Sequence, residues 1–354
     1  MPLNASAKET INFRKSKWDE FCSTDRLKRI GRTNFSYKTR PARRYTKKCY
    51  ICGVKKAWYH ILALVVVGIW GVTFISTKVL IANGLTPAQI FFARFSVAYL
   101  GIWLLCLRSK ASRKIYAGRV RDELLLAFLG ITGGSLYFLT ENTALACTQA
   151  CSVSFIVCSA PLITLILTLL LKRFLRGDLA AGLEDVKLKP SLMTGTVLAL
   201  AGMALVLFDG NAVEFSLKGD LLALGAALCW GLYSVFMSQM TTAHGTLMAT
   251  RKVFFYGLVT ILPFIVGDFP PAELFARPQV WGNLLFLSLA ASLLCFVLWN
   301  KVMAVLGNVT STNYVYLNPF FTLVGAVLIL GETMTPLSAI GSLAIVAGVI
   351  IAGR

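Results

Sequence analysis

From residue 57 onward, long apolar runs alternate with short polar connections. A helix rises 1.5 Å per residue, so about twenty residues cross a hydrocarbon core of about 30 Å. The runs have this length, and the glycines and prolines inside them are tolerated in membrane helices. Ten runs are visible, at 57–80, 87–107, 122–141, 149–171, 191–209, 220–240, 247–268, 281–300, 309–330 and 335–353. The pattern predicts an all-α integral membrane protein with ten transmembrane helices.

The same pattern occurs twice along the chain. Corresponding positions share a residue type and a displacement: Trp70 and Trp230 (160 positions), Asn142 and Asn300 (158), Pro161 and Pro319 (158), Gly195 and Gly341 (146), Gly202 and Gly348 (146). The falling displacement indicates about a dozen extra residues in the first copy, at about 174–188. The sequence therefore predicts two five-span repeats, at 57–209 and 210–354.

Basic residues predict the orientation of these spans. With a cytoplasmic N-terminus, nearly all of the 35 Lys and Arg residues fall in inner segments, as membrane proteins prefer. The exceptions are Lys78, Arg94, Lys218 and Arg277. Both termini are therefore predicted to be cytoplasmic. Five spans per copy is an odd number, so the second copy is inverted, an arrangement that supports alternating access around a site between the copies.

Residues 1–56 are basic and contribute much of the net charge of +19. We interpret them as a disordered tail or as an over-extended start, because Val54 opens a segment that resembles a bacterial start. Attraction to anionic lipid is a possible use of such a tail. Nucleic-acid binding is disfavoured, because no accompanying motif is present.

Enzyme chemistry finds little support in the sequence. There is no phosphate-binding G-x-x-x-x-G-K-[ST] loop, no H-E-x-x-H and no G-x-S-x-G, and only two histidines occur. Most of the nine cysteines lie in or beside apolar runs, and the lone pair Cys49 and Cys52 is a weak metal signal. We predict no enzyme, no cofactor and no metal. The predicted partners are a small-molecule substrate and membrane lipid, for a monomer or homodimer.

Polar groups near the middle of the spans are candidates for a substrate site. Trp70 and Trp230 lie near the midplane, where they either line a cavity or pack with their indole N–H bonded internally. Pro161 and Pro319 are predicted to kink their helices and release carbonyls four residues earlier. Polar residues around the second proline extend this surface. The predicted substrate-binding set is Trp70, Trp230, Tyr314, Tyr316 and Asn318.

Four further polar residues are given roles outside the substrate-binding set. Asn142 and Asn300 are expected at opposite ends of the pore, where capping of helix ends is the favoured role and gating the alternative. Glu141 is the candidate for proton coupling, against the alternative of a solvated loop charge. Arg94, within a span, is expected to pair with backbone carbonyls or to extend toward the interface.

Taken together, these marks resemble the EamA type of the drug/metabolite transporter superfamily over residues 57–354. The resemblance is carried by the Trp-Gly pairs 70–71 and 230–231, Phe92-Ala93-Arg94-Phe95, Asn142-Thr143-Ala144-Leu145, Ser159-Ala160-Pro161-Leu162, Leu317-Asn318-Pro319-Phe320 and Gly331-Glu332. It implies a plasma-membrane (bacterial inner membrane) permease that exports or exchanges metabolites, amino acids or drugs through a central cavity. The first copy departs from the pattern, with Arg173-Phe174 where Gly-Glu would fall. A secondary transporter is the favoured function, and a non-transporting scaffold or sensor is the alternative.

Overall fold

The protein is described by a computed structural model that covers residues 43–107, 110, 112–148, 150–186, 188–207, 216–270, 272–325 and 335–353. These residues form helices and connections, with no strand among them. The compact unit 53–354 contains every contact considered below. Of the predicted tail 1–56, residues 1–42 lie outside the described residues, as do Gly331 and Glu332, whereas residues 43–56 are helical.

The helices follow the apolar runs in order. They are α1 (Arg43–Ala82), α2 (Pro87–Cys106), α3 (Val120–Cys147), α4 (Ala150–Val157 and Ala160–Phe174), α5 (Pro190–Leu207), α6 (Leu217–His244), α7 (Thr246–Ile261), α8 (Pro278–Leu306), α9 (Asn308–Thr312, Asn313–Leu317 and Asn318–Gly325) and α10 (Pro336–Ala352). A short helix, Asp178–Ala181, lies between α4 and α5.

Seven helices of the described chain are long and apolar enough to cross a membrane. They comprise Lys56–Ala82, Pro87–Cys106, Val120–Cys147, Ser152–Phe174, Leu217–His244, Thr246–Phe264 and Pro278–Leu306. Two shorter apolar helices, Pro190–Leu205 and Ala339–Ala352, accompany them. The predicted all-helical architecture with several spans is therefore confirmed. The end of the ninth run, 326–330, lies outside the described residues.

Two helix ends differ from the sequence prediction. We expected the third and eighth spans to end near Asn142 and Asn300, but α3 continues to Cys147 and α8 to Leu306. Hydropathy falls at these polar residues and suggests a boundary. The helices continue because backbone hydrogen bonding is satisfied along them while the polar side chains find partners inside the protein.

Helices α5 and α10 pack along a glycine seam. A Cβ at Gly195 would lie 2.5 Å from the Gly348 carbonyl oxygen, and a Cβ at Gly202 would lie 2.6 Å from that of Gly341. The lower-numbered glycine of one helix meets the higher-numbered glycine of the other, so the helices run antiparallel. Small residues allow this backbone approach, as in other membrane helix pairs.

Both copies interrupt the same helix with a π-helical segment. In α3 this segment is Ile131–Ser135, and in α8 it is Phe286–Leu294. The displacement of 158 residues places them at corresponding positions. Gly134, with φ −124° and ψ −106°, marks a kink in the first. Such segments in mid-helix occur often at functional sites.

The two prolines also lie at helix interruptions. Helix α4 breaks between Val157 and Ala160, and Pro161 is in the first turn of its second part. Near Pro319, α9 changes from a 3-10 turn to an α-helix at Asn318. The carbonyl expected to be released there, on Val315, accepts a hydrogen bond from the Cys158 thiol at 3.2 Å.

Candidate functional site

A cavity lies where helices of the two copies meet. Its walls are Trp70, Thr73, Phe74, Arg94, Tyr137, Phe138, Glu141 and Val157 from the first copy, and Trp230, Phe296, Val315 and Asn318 from the second. The cavity volume is about 30 Å³. Because a water needs about 10–15 Å³ of such volume, this conformation leaves room for only about two waters.

Two opposite charges face this cavity. Arg94 is 3% exposed, and its Nε donates to Ser292 Oγ at 2.5 Å. Glu141 is 7% exposed and accepts a hydrogen bond from the Tyr137 hydroxyl at 2.9 Å. The ion pairs of the described residues lie elsewhere, so these charges share the cavity without closing on each other. Charges buried at membrane depth are costly and mark functional positions.

The expected role of Arg94 is therefore wrong. Its side chain neither extends to the interface nor pairs with backbone carbonyls. The Ser292 hydroxyl fixes the guanidinium, whose Cζ lies 4.5 Å from the ring centroid of Phe138. An aromatic face attracts a cation, so these two neighbours compensate part of the cost of burial. Sequence reasoning missed Ser292 because no repeat or motif links it to Arg94, which is 198 positions away.

The two repeated tryptophans meet in the cavity wall. Their ring centroids are 5.3 Å apart and their planes are nearly perpendicular. Trp70 Nε1 donates to the Ala291 carbonyl at 3.0 Å, within the π-helical part of α8. Trp230 Nε1 is buried without a partner. Trp70 thus combines the two roles considered from the sequence, and Trp230 offers an unused donor.

Asn318 brings an unused acceptor to the same space. Its side chain lines the cavity, and its Oδ1 is buried without a hydrogen-bond partner. Leaving such an atom unpaired costs about 1–3 kcal/mol. The unpaired Trp230 donor and Asn318 acceptor are therefore suited to binding a polar solute or water.

Two residues of the predicted substrate set lie outside this wall. The Tyr314 hydroxyl is 2.6 Å from His60 Nδ1, which joins α9 to α1. Tyr316 is buried, 1% exposed. In this conformation the structure brings together Trp70, Trp230 and Asn318 of the set, but not these tyrosines.

The expectation that Asn142 and Asn300 cap helix ends is wrong. Both are buried within helices. Asn142 Nδ2 donates to the Pro87 carbonyl at 3.2 Å. Asn300 accepts from the Tyr233 hydroxyl at 2.6 Å and donates to Thr250 Oγ1 at 2.8 Å. Both residues thus join neighbouring helices.

The view of Glu141 as a solvated loop charge is also wrong. Its carboxyl group lies inside α3 and faces the cavity. Tyr137 precedes it by four residues, the spacing that places two side chains on one helix face. That spacing was a signal in the sequence for this pair.

The scaffold is repeated, but its charges are not. The displacement of 160 places Phe254 opposite Arg94, and the displacement of 158 places Trp299 opposite Glu141. Both counterparts are fully buried. Arg94 and Glu141 therefore come from the first copy alone. The second copy contributes apolar rings, Asn318 and the hydroxyl that holds Arg94.

At the end of the bundle where α3 and α7 begin, ionic contacts join the copies. Glu123 pairs with Lys252 and accepts from the Tyr256 hydroxyl. Asp122 Oδ2 lies 3.0 Å from His244 Nε2. These contacts fasten α3 to α6 and α7. Within the described chain, no three His, Cys, Asp or Glu side chains gather as metal ligands.

Comparison with known proteins places this geometry in context. The model of the EamA-like transporter family matches residues 57–208 and again 217–354. A solved crystal structure has a TM-score of 0.63 at 16% identity, covering 84% of this chain and 96% of that one, which is a likeness of fold.

Three relatives match over most of their length. An "uncharacterized transporter" of Archaeoglobus fulgidus is 26% identical over 296 residues, 82% of this chain and 95% of the relative. A "probable terminal-alkyne amino-acid exporter" of Streptantibioticus cattleyicolor is 24% identical, covering 85% and 94%. A "probable amino-acid metabolite efflux pump" of Salmonella typhimurium is 26% identical, covering 82% and 93%.

Proposed function

Because the chain belongs to the EamA-like transporter family, we propose that it is a secondary transporter that moves small metabolites across the bacterial inner membrane by alternating access. The proposal includes ten transmembrane helices in two inverted five-helix repeats, with both termini cytoplasmic. The observation that carries it is the small cavity between the copies, which is lined by a buried guanidinium, a buried carboxyl group and unpaired polar atoms.

The inverted arrangement is supported by the glycine seam. Helices α5 and α10 occupy corresponding places in the two copies and run antiparallel where Gly195 meets Gly348. Corresponding helices of two inverted repeats have this relation. The π-helical segments at corresponding positions of α3 and α8 support the duplication itself.

The cavity favours a zwitterionic substrate with an apolar or aromatic side chain, such as an amino acid. A guanidinium binds a carboxylate with paired, charge-assisted hydrogen bonds. Arg94 therefore suits the substrate carboxylate, and Glu141 suits its ammonium group. The rings of Trp70, Trp230 and Phe296 suit the side chain. Two of the relatives carry amino-acid export or efflux in their names.

The size of the cavity supports alternating access with substrate-dependent rearrangement. Room for about two waters does not admit an amino acid, so this conformation is closed around its polar groups. We propose export or proton-coupled exchange, in which Glu141 carries the proton when the substrate ammonium leaves it. A carboxyl group at membrane depth is a common proton relay.

Truncating the unpaired cavity residues is expected to reduce transport. Trp230→Ala removes a wall and the free indole donor, and Asn318→Ala removes the free acceptor. Loss of one such hydrogen bond corresponds to about a tenfold reduction. The measurement is uptake of labelled amino acids into inverted membrane vesicles, normalised to protein level.

Matched controls are available outside the cavity wall, at the exposed Trp281 and the half-buried Asn283. Trp281→Ala and Asn283→Ala change the same residue types at the start of α8, away from the cavity. They are expected to retain flux. Unchanged flux in both cavity variants would contradict the site, and no flux in the unmodified protein for any compound class would favour the scaffold or sensor function.

A further inference from the structure

The connection between α4 and α5, residues 175–189, extends onto the second copy. It contains the dozen residues that only the first copy has. Leu183, within it, is buried in the main core. The carbonyl of Leu179, in the same connection, accepts a hydrogen bond from Gln239 Nε2 of α6 at 3.0 Å. The connection thus contacts the protein at these two residues, and we call its residues 175–186 the strap.

Glu184 fastens the strap to the beginning of α9. Its Oε2 accepts the backbone N–H groups of Asn308 at 2.5 Å and Val309 at 3.0 Å. Gly307, with φ +91°, turns the chain from α8 into α9, and a Cβ there would lie 2.5 Å from Glu184 Oε1. The corner between the two helices is therefore shaped to receive this carboxylate.

The Glu184 side chain is half-buried, which has a desolvation cost that a fully exposed carboxylate would avoid. Burial raises the pKa of Glu184 by more than its hydrogen bonds from Asn308 and Val309 lower it. The strap is nevertheless held at its other side as well, where Asp185 pairs with Lys172 at the end of α4. The contacts of Glu184 with α9 and of Asp185 with α4 favour a specific role for this connection over that of a solvated loop.

The helix that Glu184 contacts, α9, consists of three segments. Helix α9 begins with Asn308–Thr312, continues as the 3-10 turn Asn313–Leu317 and resumes as an α-helix at Asn318. A 3-10 stretch inside a helix often marks a hinge. The 3-10 turn thus separates the segment that Glu184 holds from the segment that places Asn318 in the cavity.

We propose that the strap acts as a latch at the cytoplasmic end of the transporter. Glu184 holds the first turn of α9 and keeps that end closed until its hydrogen bonds with Asn308 and Val309 break. This inference rests on the proposed alternating access and on the proposed orientation, which places the end of α4 and the start of α9 at the cytoplasmic side. It assigns the extra residues of the first copy a function that the second copy lacks.

Hydrogen exchange on the purified full chain tests the latch directly. Glu184→Ala is expected to increase exchange at the amides of Asn308 and Val309 about tenfold, because both lose their acceptor. Glu184→Gln keeps one amide oxygen as an acceptor and is expected to give a smaller increase. Glu273→Ala, an exposed glutamate of the α7–α8 connection, is the matched control and leaves these amides unchanged.

Alkylation of native thiols tests whether releasing the latch opens the protein. Cys158 is buried beside the cavity and contacts the Val315 carbonyl, whereas Cys106 is buried at the end of α2. In Glu184→Ala, the rate of labelling of Cys158 by N-ethylmaleimide is expected to rise about tenfold, with Cys106 unchanged. Mass spectrometry resolves the two sites.

The outcomes separate this proposal from the proposed function, since neither measurement uses transport. Unchanged exchange at Asn308 and Val309 would overturn the latch. Faster exchange without faster labelling of Cys158 would overturn it too, and leave Glu184 as a local cap. If Cys106 is also labelled faster in Glu184→Ala, the Glu184→Gln variant decides. Faster labelling of Cys158 alone in that variant indicates opening, and faster labelling of both cysteines indicates unfolding, which would overturn the latch. Both expected changes in a protein with no flux would retain the latch and reject the proposed function.

Discussion

Replacing Arg94 with glutamine is expected to reduce transport about 10- to 100-fold at equal protein level, because a hydrogen bond to a charged group contributes about 1.5–3 kcal/mol. The guanidinium is buried, held by Ser292 and aligned over Phe138. Its loss removes the proposed partner of the substrate carboxylate. It also leaves Glu141 as the only charge in the cavity wall. The measurement is amino-acid uptake into inverted vesicles.

Conservative variants distinguish charge from position. Arg94→Lys keeps the cation but loses the planar fork, so we expect an intermediate flux with weaker substrate affinity. Ser292→Ala keeps Arg94 and removes its anchor, and is expected to affect affinity more than maximal rate. Arg277→Gln, at an exposed position, is the matched control. Full flux in Arg94→Gln would reject Arg94 as a substrate contact.

Replacing Gly348 with alanine is expected to lower the free energy of unfolding by about 3 kcal/mol. The new methyl carbon would lie 2.5 Å from the Ala199 backbone nitrogen and 2.6 Å from the Gly195 carbonyl oxygen. Backbone atoms of a helix cannot turn aside, so α5 and α10 must separate. Gly195→Ala is expected to have a similar effect, because its Cβ would lie 2.3 Å from the Ala352 nitrogen.

The control for this packing effect is the same substitution at a glycine that has no close neighbour in another helix. Gly225 of α6 has no atom within 4 Å of the position of a Cβ. Gly225→Ala is expected to be neutral or stabilising, since alanine is the better helix former. Thermal unfolding of the purified proteins measures the stability of Gly348→Ala and of Gly225→Ala against the unmodified protein. Equal stability of Gly348→Ala and the unmodified protein would show that the seam tolerates a wider helix spacing.

The helices of this fold follow from local information, and the positions of their ends do not. A run of twenty apolar residues forms a helix in a membrane, because only a helix satisfies the hydrogen bonding of its backbone within the run. Near Glu141 and Asn142 the hydropathy falls, and the sequence alone suggests a boundary. The helix continues because Tyr137 and the Pro87 carbonyl receive these side chains. Partners distant in sequence decide such ends.

The candidate site is predictable where a repeated residue or a repeated proline marks it. Trp70, Trp230 and Asn318 were identified from repetition or from a neighbouring proline, and all three line the cavity. Where the copies differ, repetition gives no guidance. Arg94 pairs with Ser292 across almost two hundred residues, and the π-helical segment that presents Ser292 leaves no pattern in hydropathy.

The glycine seam has a consequence for the ancestry of such a chain. Each of its two helices offers the same pair of glycines, so the surface is self-complementary: a five-helix half could meet an upside-down copy of itself through it. Joining two halves in one gene removes the requirement that both be identical. Each half is then free to specialise, and here the first half supplies Arg94 and Glu141 while the second supplies Asn318 and the hydroxyl that holds Arg94.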